Sequence, residues 1–186
     1  MQYYKLMYDY ENDTNKGLVI INEKNLEFER YDVNGGEKLA ANYISCRKED
    51  GKTVETDYLG NNLAWFLVSE RLKTLLLEFN IFNTQFIPIK NDDSNKNIGY
   101  LVNIIDKVNA MDISKSLIKK VTYHKDGKEE THNSVIKYAL QEKEIGDRDL
   151  FSLDGYNIPI FISERLKNGM EKSKITGCDY QKIHVS

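Results

Sequence analysis

The chain has 186 residues, of which 40% are hydrophobic and 30% charged, and its formal net charge is −3. A chain of this length can bury a sizeable core without disulfides or metals, and its mild acidity argues against a protein that binds nucleic acid by neutralising phosphates. No apolar run approaches the ~18 residues of a membrane span, and the first ten residues do not resemble a secretory signal. The two cysteines, Cys46 and Cys178, are expected to be free thiols in a reducing cytoplasm.

The first third of the chain predicts an antiparallel meander. Three segments are predicted strands, either by apolar alternation or as short apolar runs: residues 2–8, 18–21 and 22–29. The triplet Asn34-Gly-Gly is typical of a tight turn. Beyond it, residues 39–46 are expected to pair with residues 53–58 in a hairpin whose turn is formed by residues 49–52.

One pentapeptide, Ser-Glu-Arg-Leu-Lys, occurs twice, at residues 69–73 and 163–167, so that the copies are 94 positions apart. Each copy follows a short run of β-branched and aromatic residues, and its serine can accept a hydrogen bond from a free helix N–H group. The glutamate then lies in the first turn, where the helix dipole favours negative charge. Each copy therefore predicts a strand, an N-capped helix and a second strand, and capping explains the serine better than nucleophilic catalysis does. Gly177 and Asn83 are expected as matching left-handed helix stops.

The likeness of the two copies extends beyond the pentapeptide. Three apolar pairs keep the same spacing without a gap: Ile81 with Ile175, Phe86 with Tyr180, and Ile89 with Ile183. This favours duplication of a half-domain, with halves of about residues 1–99 and 100–186, over the independent use of one good helix start. A solenoid is not indicated, because it needs at least three repeats.

The second half of the chain continues the antiparallel pattern. Residues 100–105 predict a central apolar strand. The dipeptide Asp126-Gly127 predicts the turn of a hairpin, and Asp154-Gly155 predicts another. No linker separates domains, so the sequence predicts one α+β domain over residues 1–186. It would contain antiparallel, hairpin-rich sheets and two similar units of strand, capped helix and strand.

Few residues in the sequence suggest catalysis. There is no glycine-rich phosphate loop, no Gly-x-Ser-x-Gly elbow and no Cys-x-x-Cys pair. His124 and His132 lie on opposite arms of the Asp126 hairpin, but a metal site would need a third ligand, so neither a metal nor a cofactor is predicted. Asp106 and Asp112 could be the paired acids of a hydrolase, although carboxylates in such a loop are more often turn formers.

Two acidic segments are the best candidates for a partner-binding surface. Together they contain six carboxylates: Asp92, Asp93, Glu142, Glu144, Asp147 and Asp149. The alternative is that both segments are solvated loops without a partner. The 12 tyrosines are many for this length, and tyrosines beside acidic loops are typical of a protein-binding face.

Several short motifs follow one another in a fixed order. They are Trp-Phe-Leu-Val-Ser-Glu-Arg-Leu from Trp65, Phe-Ile-Pro-Ile from Phe86, Tyr-Leu-Val-Asn from Tyr100, Asp-Ile-Ser from Asp112, Ile-Phe-Ile-Ser-Glu-Arg-Leu from Ile160 and Ile-Thr-Gly from Ile175. In this order they resemble the Imm11 family of immunity proteins. The resemblance extends from about residue 57 to the last residue, and the aromatic opening of the chain also fits.

The resemblance implies a bacterial, cytoplasmic protein that binds and neutralises the C-terminal domain of a polymorphic toxin encoded beside it. No catalytic residues come with the family, so it implies a non-enzyme without cofactor, nucleic acid or membrane, whose specificity resides in variable loops. Neutralisation would be steric and electrostatic, with acidic and tyrosine side chains covering a basic toxin cleft. Two other functions stay open: a small hydrolase that uses Asp106 or Asp112, and a scaffold that self-associates through its tyrosines. The sequence leaves the toxin and the oligomeric state undetermined.

Overall fold

The computed structural model describes residues 1–11, 17–49, 52, 56–125 and 128–186. The strands in these residues are β1 (Tyr3–Tyr8), β2 (Val19–Ile21), β3 (Ile44–Lys48), β4 (Tyr58–Leu59), β5 (Leu67–Val68), β6 (Thr84–Asn91), β7 (Asn97–Ile104), β8 (Lys107–Val108), β9 (Leu117–Lys125), β10 (Lys128–Lys137), β11 (Ala139–Leu140), β12 (Leu150–Leu153), β13 (Tyr156–Ser163), β14 (Cys178–Lys182) and β15 (His184–Val185). The α-helices are α1 (Glu70–Glu78), α2 (Glu142–Ile145) and α3 (Glu164–Lys172). This sheet-rich composition with few helices agrees with the predicted α+β class.

Two large sheets organise the fold. The first has the strand order β2-β3-β6-β7-β5-β4, and the second has the order β14-β1-β13-β12-β8. β7 pairs with β6 on one side and with β5 on the other, which confirms the central strand predicted at residues 100–105. Its side chains from Leu101 to Ile104 are all buried, because both of its faces are covered by other parts of the chain.

Four strands follow the same plan in both sheets. The sets β4-β5-β7-β6 and β12-β13-β1-β14 are antiparallel at every pairing. In each set the second strand leads into a helix, and the fourth strand follows that helix. The third strand differs in origin, since β7 directly follows β6 whereas β1 comes from the start of the chain. We call β4 to β7 with α1 unit 1, and β1 with β12 to β14 and α3 unit 2.

The two units also agree in register. The cross-strand pair Val68–Tyr100 in unit 1 corresponds to the pair Ile162–Tyr4 in unit 2. In the same way, the pair Phe86–Val102 corresponds to Tyr180–Leu6. The strands that follow the helices therefore keep the 94-residue spacing of the repeated pentapeptide. The duplication of a half-domain stays a prediction, now with a defined structural correspondence between the units.

Both repeated serines cap helices as the sequence predicts. The Ser69 hydroxyl accepts a hydrogen bond from the N–H group of Leu72 at 3.1 Å, and the Ser163 hydroxyl accepts one from Leu166 at 3.1 Å. Each helix then continues for nine residues. Because the serine satisfies an N–H group that the helix itself leaves unpaired, both helices begin at the same point of the pentapeptide.

The helix stops predicted at Asn83 and Gly177 are wrong. The left-handed residues that end α1 and α3 are Asn80, with a φ of 58°, and Lys174, with a φ of 52°. The next N–H group after each of these residues returns to the last helical turn, as in a Schellman motif. Gly177 does have a φ of 77°, but there the backbone passes the Tyr58 carbonyl oxygen too closely for a Cβ atom, which would lie 2.6 Å from it.

One hydrophobic cluster, which we call the helix core, joins the two units. Its helical members come from both repeated helices: Leu72, Leu75, Leu76, Leu166 and Met170. Residues of β1, β4, β5, β7, β12 and β13 complete it from the two sheets. A second cluster around Trp65 covers the other face of the first sheet, and a third around Phe151 and Phe161 covers the other face of the second sheet. Both sheets are therefore covered on both faces.

Two predictions for the first third of the chain are wrong. Residues 22–29 contain a short 3-10 helix, Glu23–Asn25, in place of a strand. Residues 39–46 do not pair with residues 53–58, because β3 pairs with β2 and, in parallel, with β6, while β4 pairs with β5. Pairing with distant apolar strands has overridden the local turn signal. Residues 50, 51 and 53–55 of the predicted hairpin lie outside the described residues.

The hairpins predicted in the second half are confirmed. β9 pairs with β10, and β12 pairs with β13 around Gly155, which has a φ of 76°. The dipeptide Asp126-Gly127 itself lies outside the described residues. In the β9–β10 register, His132 faces Val121 and His124 faces Glu129, so the two histidines are not cross-strand partners. Among the helices that the structure describes, none is long and apolar enough to cross a membrane.

Candidate functional site

A cleft with a volume of about 1030 Å³ opens between the two sheets. The first sheet supplies β4 and the segment before β5, and the second sheet supplies β1, β13 and β14. The base of β10 and the 3-10 helix Arg30–Asp32 complete the rim. Aromatic side chains dominate the lining. Of the residues that the structure describes, seven aromatic ones reach it: Tyr8, Tyr10, Tyr31, Tyr58, Trp65, Tyr138 and Tyr156.

One wall of the cleft is a chain of edge-to-face rings. The ring of Tyr8 lies 4.7 Å from that of Tyr10 and 5.7 Å from that of Tyr58. Tyr58 in turn meets the buried ring of Phe66 at 5.0 Å. Burial raises the pKa of Tyr58 well above its ordinary value, so its hydroxyl stays protonated and can donate a hydrogen bond. The edge-to-face geometry fixes the rings against one another and anchors the wall in the core.

A second group of lining residues is built around Tyr138. Its ring lies 6.3 Å from that of Tyr156 and 5.3 Å from that of Phe161, both at steep angles. Burial raises the pKa of Tyr138 to about 12. The Lys5 ammonium lies 5.7 Å from the centre of the same ring, and burial lowers the pKa of Lys5. The chain therefore already places one cation on an aromatic face inside the cleft.

The turn before Trp65 is fixed by a single asparagine. The Asn61 side-chain oxygen accepts hydrogen bonds from the N–H groups of Leu63 and Trp65 at 3.1 and 3.0 Å, and its amide donates to the Trp65 carbonyl at 2.8 Å. Between them Ala64 adopts a φ of 55°, which a residue with a Cβ atom rarely does. The network holds this strained backbone in place, and so presents Trp65 to the cleft.

Three asparagines tie the two sheets together beside the cleft. The N–H group of Asn34 donates to the side-chain oxygen of Asn103 on β7 at 2.8 Å, while its side chain donates to the Asn157 carbonyl on β13 at 3.0 Å. The Asn157 side chain donates to the Tyr31 carbonyl at 2.7 Å and accepts from Lys107 at 2.7 Å. These bonds fix the spacing of the walls and the position of Tyr31, so the cleft is preformed.

The charge of the cleft lining is predominantly negative. Within the part of the chain that the structure describes, three carboxylates line it, those of Asp9, Glu11 and Asp179, against one ammonium group, that of Lys5. Glu11 and Asp179 are exposed, whereas Lys5 is half-buried. The potential at the open side of the cleft is therefore expected to favour cations.

The six acidic residues predicted to bind a partner do not line this cleft. Asp92 and Asp93 are exposed in the turn between β6 and β7, and Glu142, Glu144 and Asp147 are exposed on and after α2. Glu142 forms an ion pair with the N-terminal ammonium group, and Glu144 lies 3.4 Å from the ammonium group of Lys143. The structure thus distributes the predicted acids over two separate surfaces, one on each sheet.

Asp149 differs from the other five because its side chain is only 9% exposed. Its carboxylate accepts hydrogen bonds from the hydroxyl of Ser163 and from the guanidinium of Arg165. Its carbonyl accepts a further bond from the N–H group of Ser163 at 3.0 Å. Asp149, which the sequence predicts to bind a partner, is therefore bound by Ser163 and Arg165 within unit 2.

Unit 1 contains the same arrangement around Asp57. Its carboxylate accepts from the hydroxyl of Ser69 at 2.7 Å and from Arg71 at 3.0 Å, and its carbonyl accepts from the Ser69 N–H group at 2.8 Å. Asp57 also accepts from the N–H group and the hydroxyl of Thr176 at 3.0 and 3.2 Å, which ties unit 1 to unit 2. We call each set of aspartate, serine and arginine a carboxylate clamp. Sequence reasoning missed both, since neither aspartate lies within the pentapeptide.

Asp106 and Asp112 both have structural partners. Asp106 forms an ion pair with Arg148 at 2.6 Å. Asp112 accepts hydrogen bonds from the hydroxyl and N–H group of Ser114 at 2.6 and 3.1 Å, and from the hydroxyl of Ser186 at 3.3 Å. The hydrogen bond from Ser114 is the main cause of the lowered pKa of Asp112. These contacts support the role of turn former for Asp112 and of ion-pair partner for Asp106.

Neither cysteine is prepared for nucleophilic chemistry. Burial raises the pKa of Cys46 to about 12 and that of Cys178 to about 12, so both thiols are protonated at neutral pH. Both are free thiols, as expected. Within the part of the chain that the structure describes, no group of three or more histidine, cysteine, aspartate or glutamate residues could hold a metal ion.

The aromatic cleft is the feature that sequence reasoning did not locate. Its signal was present in the 12 tyrosines, but the tyrosines that line the cleft come from five separate parts of the chain. These parts are brought together by the pairing of β1 with β13, by the position of β4, by the bond of Asn157 to Tyr31 and by the packing of Tyr138 on Tyr156. No local pattern reports that proximity.

A comparison with protein families matches nearly the whole chain. The model described as Immunity protein family (Imm11) covers residues 3–185 of the chain. The matched segment includes both units, the cleft between them and the residues before residue 57, where the resemblance from short motifs begins. A comparison with curated proteins gives no match.

Proposed function

The chain belongs to the Imm11 immunity protein family, and we propose that it binds a cognate toxin domain and neutralises it by occlusion, without catalysis. The family match over residues 3–185 is the observation that carries this proposal. A preformed, tyrosine-rich cleft supports it, because tyrosine supplies contact area at low entropic cost and is enriched in protein interfaces. The partner would be the toxin-like C-terminal domain encoded beside this chain, in the cytoplasm of the cell that makes both.

We propose a steering role for the exposed acids outside the cleft. Asp92 and Asp93 on the first sheet, with Glu142, Glu144 and Asp147 on the second, would attract a basic toxin surface during encounter. Such exposed charges change the rate of association more than they change the stability of the complex. Asp149 would contribute indirectly, by holding Ser163 and Arg165 in place.

The first experiment is co-expression with the neighbouring toxin-like domain. We expect the two proteins to purify together at equimolar ratio and the chain to restore growth. Occlusion also predicts that toxin activity in vitro falls in proportion to the chain added and disappears at equimolar amounts. Complete inactivation by a small fraction of that amount would instead indicate catalysis, and no binding with no rescue would contradict the proposal.

Two pairs of variants separate this proposal from the alternative of a hydrolase. Asp106→Ala and Asp112→Ala remove the acids that a hydrolase would use. We expect each change to lower the stability of the chain, while the protein that folds still restores growth. Loss of rescue in a fully folded Asp106→Ala or Asp112→Ala protein would support an enzyme. Reversal of charge in Asp92→Lys with Asp93→Lys should slow association, with a stronger effect at low salt than at high salt.

A further inference from the structure

We propose that the aromatic cleft is the docking site for an extended, basic segment of the toxin domain, which places arginine or lysine side chains against the rings that line it. This inference rests on the proposed function and deepens it, because it names the surface and the chemistry of the segment that the surface binds. The five exposed acids outside the cleft would then attract the partner, and the cleft would hold it.

The ring content of the cleft is the first reason. Among the described residues, seven aromatic side chains reach the lining, and the faces of tyrosine and tryptophan attract ammonium and guanidinium groups. The chain itself uses this interaction at the rim, where the Arg30 guanidinium lies 5.5 Å from the centre of the Tyr31 ring. It also uses it inside, where Lys5 lies 5.7 Å from the centre of the Tyr138 ring.

The charge of the lining is the second reason. Among the described residues that line the cleft, Asp9, Glu11 and Asp179 carry three carboxylates and Lys5 carries the single cation. These carboxylates would attract a basic segment, whereas they would repel an acidic segment and would not attract a neutral one. A guanidinium group can lie on a ring and donate to a carboxylate at the same time. The lining offers both kinds of contact.

The size and rigidity of the cleft are the third reason. Its volume of about 1030 Å³ lies at the upper end of the roughly 300–1,000 Å³ that small-molecule sites occupy, so it has room for several side chains of a peptide segment. The Asn61 network fixes the wall that contains Trp65, and Asn34 fixes the distance between the sheets. A preformed cleft costs little entropy to fill.

The chain contains its own probe for this test. Trp65 is the only tryptophan, lines the cleft and is 6% exposed, so its fluorescence reports on occupancy. The folded full chain is titrated with a short synthetic peptide in which arginine alternates with serine, and with a matched peptide that contains glutamate in place of arginine. We expect a saturable change with the arginine peptide and none with the glutamate peptide.

Matched charge variants then locate the peptide. Glu11→Lys with Asp179→Lys reverses two exposed charges in the cleft, and Asp92→Lys with Asp93→Lys reverses two exposed charges outside it. We expect the first pair to lower the affinity for the arginine peptide by about tenfold or more, and the second pair to leave that affinity nearly unchanged. Equal weakening by both pairs would indicate unspecific attraction and would overturn the inference.

Matched ring variants test the aromatic contribution. Tyr10, 60% exposed, lines the cleft, and Tyr43, 50% exposed, lies outside it. Leucine keeps much of the apolar volume but removes the ring. Tyr10→Leu should therefore lower the affinity for the arginine peptide by about threefold or more, whereas Tyr43→Leu should leave it unchanged. Because both positions are on the surface, neither change should unfold the protein. If Tyr10→Leu leaves the affinity unchanged while Glu11→Lys with Asp179→Lys still weakens binding, the carboxylates hold the peptide and the proposed role of the rings is wrong.

The toxin domain distinguishes failure of this inference from failure of the proposed function. If the wild-type chain binds the toxin and the Glu11→Lys with Asp179→Lys variant binds it equally well, the proposed function stands and the docking site is wrong. If the arginine peptide binds in the cleft but the toxin does not bind the chain, basic-segment recognition stands and the proposed toxin partner is wrong. If Glu11→Lys with Asp179→Lys weakens toxin binding and Asp92→Lys with Asp93→Lys does not, both the docking site and the proposed function are supported.

Discussion

At the scale of single residues, two buried aspartates organise the chain. Asp57 and Asp149 each accept hydrogen bonds from the capping serine and the arginine of one pentapeptide. The serine therefore donates its own proton to the aspartate while its oxygen accepts from the helix. A cap that is held by a carboxylate is more rigid than a cap alone, because the hydroxyl loses its freedom to rotate.

Removal of the charge from each clamp should destabilise the two units unequally. Asp57 has the additional contacts with Thr176, so Asp57→Asn should lower the free energy of unfolding by about 2–4 kcal/mol. The cost of Asp149→Asn should be about 1 kcal/mol smaller, since it lacks those contacts. Urea unfolding at neutral pH measures both. Equal losses would mean that Thr176 adds nothing to the clamp.

The pH dependence of stability should report Asp112. The hydrogen bond from Ser114 lowers the pKa of Asp112 in the folded protein. A carboxyl group with a lowered folded-state pKa stabilises the fold above its unfolded pKa of about 3.9 and loses that contribution as the pH falls further. The destabilisation caused by Asp112→Asn should therefore be larger at pH 7 than at about pH 3. Ser114→Ala should reproduce the trend, and a cost of Asp112→Asn that does not change with pH would contradict it.

At the scale of secondary-structure elements, α1 and α3 pack directly against each other where the units meet. Gly169 of α3 lies against the Phe79 ring at the end of α1, and a Cβ atom at this glycine would lie 2.2 Å from the ring. Arg165, one turn earlier on α3, lies 4.8 Å from the centre of the same ring. The glycine is therefore present because the helices approach closely, at the expense of helix propensity.

Gly169→Ala should destabilise the protein even though alanine is the better helix former. The gain in propensity is about 1 kcal/mol, and the overlap with Phe79 should cost about 1–3 kcal/mol more than this. The double variant Gly169→Ala with Phe79→Leu should recover part of the loss, because leucine leaves room for the new methyl group. A Gly169→Ala protein that is more stable than wild type in thermal melts would show that the helices can separate without cost.

At the scale of the whole molecule, we propose that residues 1–186 fold as one domain. The helix core contains side chains of both units, and Asp57 of unit 1 binds Thr176 of unit 2. Fluorescence of Trp65, which follows unit 1, and far-ultraviolet circular dichroism, which follows both units, should therefore give one coincident urea transition. Two separate midpoints would indicate that the units unfold independently and would contradict the single domain.

We also propose that the two units descend from one ancestral unit, and a circular permutant tests their correspondence. β1 occupies in unit 2 the place that β7 occupies in unit 1. Met1 and Ser186 are close, since both contact Glu142. A short glycine-serine linker from Ser186 to Met1, with the chain opened after Glu11, places β1 after β14 as β7 lies after β6. We expect this permutant to melt within a few degrees of wild type, whereas deletion of residues 1–8 should prevent folding of unit 2. A permutant that does not fold would oppose the proposal.

The sequence by itself determined the features that depend on neighbouring residues. The caps at Ser69 and Ser163, the β12–β13 turn at Gly155 and the burial of the strand after Tyr100 all follow from short-range hydrogen bonding and apolar pattern, and the motif order identified the family. Even the helix stops were wrong only by three residues. These signals involve few residues, and each lowers the free energy of a local structure without help from the rest of the chain.

Only the tertiary structure decided the features that join distant segments. It placed β1 between β13 and β14, gave Asp57 and Asp149 to the capping serines, and paired β3 with β2 and β6 in place of the predicted hairpin. It also brought the tyrosines of separate segments into one cleft and left the predicted acids outside it. Such contacts depend on the total free energy of the packed chain, in which burial of apolar strands outweighs local turn preferences. For this reason the kind of protein was readable from the sequence, and the surface proposed for binding was not.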